Sequence, residues 1–190
     1  MDADTKRWKL TEICKALLET IGENPSREGL RATPDRFARW WMEFLTPHEG
    51  ELQLTSFDSV AVDQMVVARG IEVWSLCEHH LLPFRCRIAV GYLTGTRVLG
   101  LSKIPRLCRH HAAGLQIQER LVAQIRESME IATGVPDVAV IAEGEHLCTM
   151  MRGVRLPVNF ITSSLGGKFR EEEATRAEFM RLAGLGDGSR

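Results

Sequence analysis

The fold is decided by the stretch from Met65 to Leu93, which is MVVARGIEVWSLCEHHLLPFRCRIAVGYL in one-letter code. Its first part, Met65 to Leu76, is rich in Val and Ile and predicts a strand that is interrupted at Gly70. Its last part, from Arg87, alternates between two faces and predicts another strand. The Cys-Glu-His-His segment that starts at Cys77 is therefore expected at a strand end or in a tight loop of a sheet.

Helices are predicted before this stretch. Leu10 to Ile21 is amphipathic, and Gly22 to Pro25 ends that helix. Thr33 and Pro34 predict the start of a second helix, with Thr33 as its N-cap. The aromatic face of this helix favours a core or subunit contact over a ligand pocket. Pro47 to Gly50 predicts a turn.

The second half of the chain mixes helices and strands. A long helical stretch is predicted from Ile104 to Thr133, with a weak point at Ala113-Gly114. Further strands and a charged C-terminal helix are predicted at Val138 to Ala142, His146 to Met151, Val158 to Thr162 and Glu171 to Leu182. The last seven residues are expected to be disordered.

These elements predict an α+β chain, in which an antiparallel sheet of four strands lies beside two long helices. Residues 1–50 form a helical N-terminal extension, and residues 51–190 form one catalytic domain. An open sheet exposes its edges, which must be covered, paired or closed. Joining subunits edge to edge into a ring is one solution, so an oligomer is expected.

Composition excludes several classes of protein. The 24 basic and 25 acidic residues nearly cancel, which argues against nucleic-acid or membrane-surface binding. The five cysteines are odd in number and irregular in spacing, and the first residues lack the order of a signal peptide. We therefore expect a cytoplasmic chain with reduced thiols.

Two short segments supply thiols and imidazoles that suit zinc, Cys77-Glu-His-His80 and His146-Leu-Cys148. Cys-x-x-His is a tight chelate, and two side chains spaced by one residue in a strand share a face. Three protein ligands would leave a fourth position for water, as in catalytic zinc sites. Each residue alone is ordinarily a packed or surface residue, so spacing alone leaves zinc and an ordinary packing role equally open.

Basic residues recur near predicted turns, namely Arg36, Arg39, Lys103, Arg106 and Arg152. Ser102 is predicted to cap a helix whose N-terminus favours anions, with Lys103 and Arg106 on one face. Arg152 follows Cys148 by four residues and is expected near any metal. Each cation alone is ordinarily a solvated charge, but a metal beside such a cluster favours a phosphorylated substrate. Gln118-Glu119-Arg120 stays ambiguous on its own.

The chain resembles the GTP cyclohydrolase I family. The resemblance is carried, between about residues 22 and 180, by Glu28-Gly-Leu30 with Thr33-Pro-x-Arg36, Ser75-Leu-Cys-Glu-His-His-Leu-Leu-Pro-Phe84, Gly100-Leu-Ser-Lys-Ile104 with Arg106, Gln116-Ile-Gln-Glu-Arg120, and His146-Leu-Cys148 with Met151-Arg-Gly-Val154. The Cys-Glu-His-His and Gly-Leu-Ser-Lys segments are the most specific of these.

The resemblance implies the tunnelling fold, in which subunits pair edge to edge into a toroid and two five-membered rings stack as a homodecamer with sites between subunits. It implies conversion of GTP and water to 7,8-dihydroneopterin triphosphate and formate, the first step of pterin, folate or deazaguanine biosynthesis.

The resemblance also implies a role for each matching residue. Cys77, His80 and Cys148 would hold one zinc ion per subunit, while His79 and His146 would move protons. Glu119 would hold the guanine N–H groups with Gln118 nearby, and Ser102 would assist at the ribose. The triphosphate would be bound by Lys103, Arg106, Arg152, Arg36 and Arg39.

Three positions depart from the family pattern, which are Arg39, Cys86 and Ala113-Gly114. The family pattern has lysine at position 39, a small residue at position 86 and basic residues at positions 113 and 114. Substrate affinity and subunit contacts are therefore the properties in which this chain can differ from the family. Two other interpretations stay open. One is a tunnelling-fold relative that binds a pterin or purine and performs another reaction, and the other is a non-catalytic, zinc-stabilised assembly protein.

Overall fold

The computed structural model describes residues 1–46, 55–60 and 62–184. Its elements, in chain order, are α1 (Ala3–Thr20), α2 (Thr33–Leu45), β1 (Ser56–Asp58), β2 (Met65–Cys77), β3 (Pro83–Leu93), β4 (Arg97–Leu99), α3 (Lys103–Ala112), β5 (Leu115–Gln116), α4 (Gln118–Thr133), β6 (Val138–His146), α5 (Leu147–Met150), β7 (Asn159–Leu165), α6 (Gly167–Glu171) and α7 (Glu173–Ala183). The predicted turn at 47–50, the predicted domain boundary at residue 50 and the tail at 185–190 lie outside the described residues.

The chain divides into two units, and the first, Met1–Thr46, consists of α1 and α2. Both predicted helices are confirmed, and Arg7 Nη2 on α1 donates to Asp35 on α2 at 2.6 Å. The predicted cap of α2 is wrong, because Thr33 is already helical and Ala32 holds the cap position. The preceding residues form a hydrogen-bonded turn, in which the Thr33 N–H donates to the Leu30 carbonyl at 2.9 Å.

The second unit, Pro47–Arg190, is built on a five-stranded sheet in the order β5-β2-β3-β6-β7. Its four long strands are antiparallel, as the sequence predicts. The predicted interruption at Gly70 is a β-bulge, since the register of β2 against β3 shifts between Ala68 and Ile71 and Gly70 has a φ of 71°. A separate pair of short strands joins β1 to β4.

The predicted helical stretch from Ile104 to Thr133 is interrupted at its predicted weak point, Ala113-Gly114. It is two helices, α3 and α4, separated by Gly114 with a φ of 99° and by the two-residue strand β5. Strand β5 pairs parallel to the end of β2, with Gln116 opposite Cys77. The helical periodicity on both sides hid this strand, whose partner lies 39 positions earlier in the chain.

The predicted strand from His146 to Met151 is also wrong. Strand β6 continues without a break to His146, where it pairs with Phe84, and the chain then enters the single helical turn α5. The pairing of β6 with β3 ends at this point. The backbone groups that follow are therefore satisfied by hydrogen bonds within a helical turn and not by bonds between strands. Met151 N–H donates to the Leu147 carbonyl at 3.0 Å.

Both faces of the sheet are covered. Val90 of β3 lies in a buried cluster with Leu107 of α3 and Ile125 of α4. Ala89, one residue away and therefore on the opposite face, lies in a second cluster with Phe179 of α7. The predicted alternation along β3 is thus confirmed. Among the described residues, none of the helices is long and apolar enough to cross a membrane.

Candidate metal centre

The Cys-Glu-His-His segment forms the turn between β2 and β3. The Cys77 N–H donates to the Leu82 carbonyl at 2.9 Å, and the Cys77 carbonyl accepts the N–H groups of His80 at 3.3 Å and Leu81 at 2.8 Å. Leu81 has a φ of 53°, which a non-glycine residue adopts only where its surroundings impose it. The turn therefore brings His80 back beside Cys77.

Strand β5 and helix α4 hold this turn from one side. The Glu78 N–H donates to the Gln116 carbonyl at 3.1 Å. Arg120 Nη2 donates to Glu78 Oε2 at 2.5 Å, and Arg120 Nε donates to Gln116 Oε1 at 2.9 Å. The sequence did not indicate this group, because its members meet only through the unpredicted pairing of β5 with β2.

Three metal-binding side chains converge here, Cys77, His80 and Cys148, with donor atoms within 4.8 Å of one another. Cys77 Sγ is 3.6 Å from His80 Nδ1. A tetrahedral zinc site, with bonds of about 2.3 Å to sulfur and about 2.0 Å to nitrogen, places such donors roughly 3.5–3.8 Å apart. The set therefore fits one tetrahedral ion, with Nδ1 as the nitrogen that faces the thiol and one position left for a non-protein ligand.

Cys148 reaches this set from α5. The strand geometry that placed it beside His146 was wrong, yet the helical turn still brings its thiol to Cys77. Burial raises the pKa of the Cys148 thiol, the charge of Cys77 raises it further, and the charge of Arg152 lowers it. Arg152 therefore lies within electrostatic range of the Cys148 thiol, and a bound cation would favour the thiolate in the same direction.

His146, the last residue of β6, is half-buried between aromatic rings. Its imidazole stacks on Phe84 with centroids 4.6 Å apart and an interplanar angle of 5°, and it meets Phe160 edge-on at 5.6 Å. Burial lowers the pKa of His146, and the charge of Glu119 opposes that shift. The ring is thus held between two aromatic side chains, two residues before the metal-binding Cys148 in the chain and within electrostatic range of the Glu119 carboxylate.

Gln118 and Glu119 start α4 but face different surroundings. Gln118 is only 3% exposed, and its carboxamide is hydrogen-bonded to His146 and to two backbone carbonyls. Glu119 is exposed and forms no hydrogen bond or ion pair with any residue in the described part of the chain. The Glu119 carboxylate is therefore free to accept hydrogen bonds from a ligand, whereas the Gln118 amide donors are already engaged.

The remaining predicted residues of the second unit are exposed or partly exposed. The His79 side chain is 67% exposed, with Nε2 4.0 Å from Glu78 Oε1. Ser102 holds the N-cap position of α3, but its hydroxyl makes no capping bond, so that predicted bond is wrong. Within the described ranges, Lys103, Arg106 and Arg152 have no carboxylate partner, which leaves three uncompensated cations.

Arg36 and Arg39 lie on α2, which belongs to the first unit. Arg39 Nε is 3.0 Å from Asp35 Oδ2, a carboxylate that also accepts from Arg7. Arg36 has no ion-pair partner among residues 1–46, 55–60 and 62–184. The two arginines are thus unequal in their freedom to meet an anion.

Cys86 is a core residue. It is fully buried in the cluster under α3 and α4, and burial raises the pKa of its thiol to about 12. A thiol that stays protonated packs as a small apolar group. This departure from the family pattern is therefore accommodated by packing.

Comparison with known proteins shows which family the chain matches. Residues 10–184 match the family model described as GTP cyclohydrolase I. A GTP cyclohydrolase 1 from Sulfurihydrogenibium sp. (strain YO3AOP1) is 46% identical over 176 residues, which cover 92% of this chain and 93% of the relative. A GTP cyclohydrolase 1 from Hyperthermus butylicus is 42% identical over 174 residues, which cover 92% of this chain and 89% of the relative.

Among solved structures, a crystal structure of the archaeosine synthase QueF-Like in the apo form aligns with 57% of this chain and 99% of that chain. The identity is 16% and the TM-score is 0.43.

Proposed function

The chain belongs to the GTP cyclohydrolase I family, and we propose that it converts GTP and water to 7,8-dihydroneopterin triphosphate and formate. One observation carries this proposal. A three-donor metal set includes Cys148, two residues along the chain from a histidine that stacks on Phe84 and is within electrostatic range of the unpaired Glu119 carboxylate. Metal, proton carrier and purine acceptor are the parts that opening a guanine ring requires.

The metal in this proposal is zinc, held by Cys77 Sγ, His80 Nδ1 and Cys148 Sγ. Two thiolates and an imidazole are typical zinc donors, and the 3.6 Å separation of Cys77 Sγ and His80 Nδ1 fits a tetrahedral site. When bound, zinc would supply Lewis acidity and make water available as a nucleophile at neutral pH. The adjacent Arg152 favours the ionised form of Cys148.

His146 and His79 would move the protons. The purine C8 takes up water, the ring nitrogen that leaves must be protonated, and a second hydration releases formate. Histidine suits repeated transfers because its ordinary pKa is near 6.5. Glu119 would accept the guanine N1–H and N2–H, and adenine would be rejected since it lacks that donor pair.

The triphosphate would be bound by basic side chains that lack carboxylate partners, namely Lys103, Arg106, Arg152 and Arg36, and also by Arg39, while Ser102 would assist at the ribose. These residues lie on three separate helices or turns and in two units of the chain. That dispersal supports a site completed between subunits of a tunnelling-fold ring, and a homodecamer is the proposed assembly. Light scattering that finds an active monomer would exclude it.

The experiment for the proposed reaction is incubation of the purified, zinc-loaded protein with GTP, with ATP as the control substrate. We expect stoichiometric formate and, after oxidation, a fluorescent pterin from GTP and neither from ATP. Binding of GTP without formate would instead indicate a tunnelling-fold relative with another reaction. Absence of both binding and formate would indicate an assembly protein.

A further inference from the structure

The side chain of Gln118, at the start of α4, is in contact with strands β6 and β7. Its Nε2 is 3.0 Å from the Ala142 carbonyl oxygen and 2.8 Å from the Phe160 carbonyl oxygen. Its Oε1 is 2.8 Å from His146 Nε2. The side chain is buried, so each of these contacts replaces a hydrogen bond to water.

The partners fix which end of the amide faces which way. A backbone carbonyl oxygen can only accept, so the atom between the Ala142 and Phe160 carbonyls must be the NH₂ group. The other end of the amide is then the carbonyl oxygen Oε1, which also can only accept. His146 Nε2 must therefore carry the hydrogen in the 2.8 Å contact.

Gly144 makes the arrangement sterically possible. A Cβ atom at this position would lie 2.0 Å from Gln118 Oε1 and 3.2 Å from His146 Nε2. Real Cβ atoms do not approach other heavy atoms to 2.0 Å, so any side chain at position 144 would displace the amide. Gly144 has an ordinary strand conformation, and its lack of a side chain serves this close approach.

The other ring nitrogen of His146 is left open. Among the described residues no group forms a hydrogen bond to Nδ1. Fully buried side-chain nitrogen and oxygen atoms without a hydrogen-bond partner do occur in this part of the chain, but Nδ1 is not one of them, so it is not fully buried. Nδ1 is therefore accessible to solvent or to a bound molecule.

We propose that Gln118, with room provided by Gly144, is a positioning residue that keeps the hydrogen on Nε2 of His146 and leaves the lone pair on Nδ1, the nitrogen that faces solvent or a bound molecule. Nε2 keeps its hydrogen in the neutral ring and in the imidazolium alike. The catalytic consequence rests on the proposed role of His146, whereas the tautomer rests on the hydrogen bonds alone.

This inference separates Gln118 from a guanine-binding role. The two amide hydrogens are used by the Ala142 and Phe160 carbonyls, and Oε1 is used by His146. The amide N–H groups could reach a guanine acceptor only by breaking one of these bonds, and the Gln118 side chain, only 3% exposed, offers almost no open surface for a further contact. The effect of Gln118 on GTP turnover therefore passes through the orientation of His146.

The test is solid-state ¹⁵N NMR on the full-length, zinc-loaded protein with labelled histidine, at pH 8. Loss of one pair of ring signals in His146→Gln assigns this residue. We expect a protonated, pyrrole-type Nε2 and an unprotonated, pyridine-type Nδ1 in the unchanged protein. The opposite tautomer, or an equal mixture, would overturn the inference.

A second measurement uses Gln118→Met, which keeps the length of the side chain and removes the amide. We expect the tautomer signals to become mixed and kcat to fall about 10- to 100-fold, less than the 10²–10⁴ for loss of a general acid or base, with little change in KM or bound zinc. Unchanged tautomer signals in this variant would refute the positioning role. If His146→Gln kept full turnover, only the proposed role of His146 would fail, and the tautomer assignment would stand.

Discussion

At the residue scale, burial pushes His146 and Cys148 toward their uncharged forms, although the two lie only two positions apart. It lowers the pKa of His146 and raises the pKa of Cys148. A metal must therefore displace the thiol proton of Cys148 when it binds, so metal affinity is expected to increase with pH. His146 is not among the three converging donors, and its Nε2 is bonded to Gln118.

The first prediction separates ligand from proton carrier. Cys148→Ser should lose most of the bound zinc and nearly all turnover, because a serine hydroxyl is a poor substitute for a thiolate. His146→Ala should keep near-stoichiometric zinc and lose about 10²–10⁴ in rate. Metal content by emission spectroscopy and turnover at saturating GTP are the two measurements. Equal loss of zinc in both variants would make His146 a ligand.

The second prediction concerns Glu119. Glu119→Ala should raise the KM for GTP and slow turnover, because the guanine N–H pair loses a charged acceptor worth about 1.5–3 kcal/mol, or roughly 10- to 100-fold. Glu127→Ala, at another exposed position of α4, is the matched control and should behave like the unchanged protein. Normal GTP kinetics in Glu119→Ala would leave Glu119 as a solvated helix residue.

At the element scale, the sequence predicted strands β2 and β3 and the turn that carries Cys77 and His80, because their apolar alternation is local. It indicated a weak point at Ala113-Gly114, where α3 and α4 separate, but it did not predict β5 or α5. Strand β5 exists only through a parallel pairing with distant residues of β2. Helix α5 begins where the pairing of β6 with β3 ends. Local periodicity contains no information about either cause.

The third prediction tests the hold of β5 and α4 on the metal-binding turn. Arg120→Met removes the hydrogen bonds to Glu78 and Gln116, so the turn should loosen and zinc affinity should fall about tenfold. The stability cost should stay below about 1 kcal/mol, since both charged partners are partly exposed. Chelator competition measures the affinity, and Arg181→Met on the exposed side of α7 is the control. Equal affinities in the two variants would contradict a supporting role for Arg120.

The fourth prediction concerns the packing of α3 on α4. His111 Nε2 is 2.8 Å from Ser128 Oγ across this interface, and burial lowers the pKa of His111, with the charge of His110 lowering it further and that of Glu127 raising it. Below the ordinary pKa of about 6.5 the unfolded chain takes up a proton that the folded chain does not. The free energy of unfolding should therefore decrease as the pH falls from 7 through the folded pKa of His111.

The measurement is urea unfolding between pH 5 and 7.5, for the unchanged protein and for His111→Gln. The variant should lose less stability over this range. His146, whose pKa is also lowered, is present in both proteins, so the difference belongs to His111. Parallel pH profiles in the two proteins would contradict the prediction.

At the scale of the whole molecule, the sequence motifs indicated which residues form the site, but not which other residues contact and position them. The three metal donors and His146 could be named from two short segments of sequence. The surroundings of His146 could not, because Phe84, Gln118, Gly144 and Phe160 come from four strands and helices. Gly144 is the least visible of these from sequence, since an isolated glycine in a strand has several ordinary explanations.

The sheet also bears on assembly. Strand β7 forms one edge of the five-stranded sheet, and the two-residue β5 forms the other beside a long β2. Such edges are normally paired or covered. Edge-to-edge pairing of subunits would cover both edges, as the proposed oligomer requires.

The most direct test of the central claim is a zinc titration of the metal-free protein, in which formate release from GTP and bound zinc are measured in the same samples. We predict that formate release increases in proportion to bound zinc and stops increasing at one zinc per chain. The metal-free protein should be inactive, and Cys148→Ser should neither bind zinc tightly nor release formate. Full formate release without metal, or one zinc per chain bound with no formate released, would contradict the account.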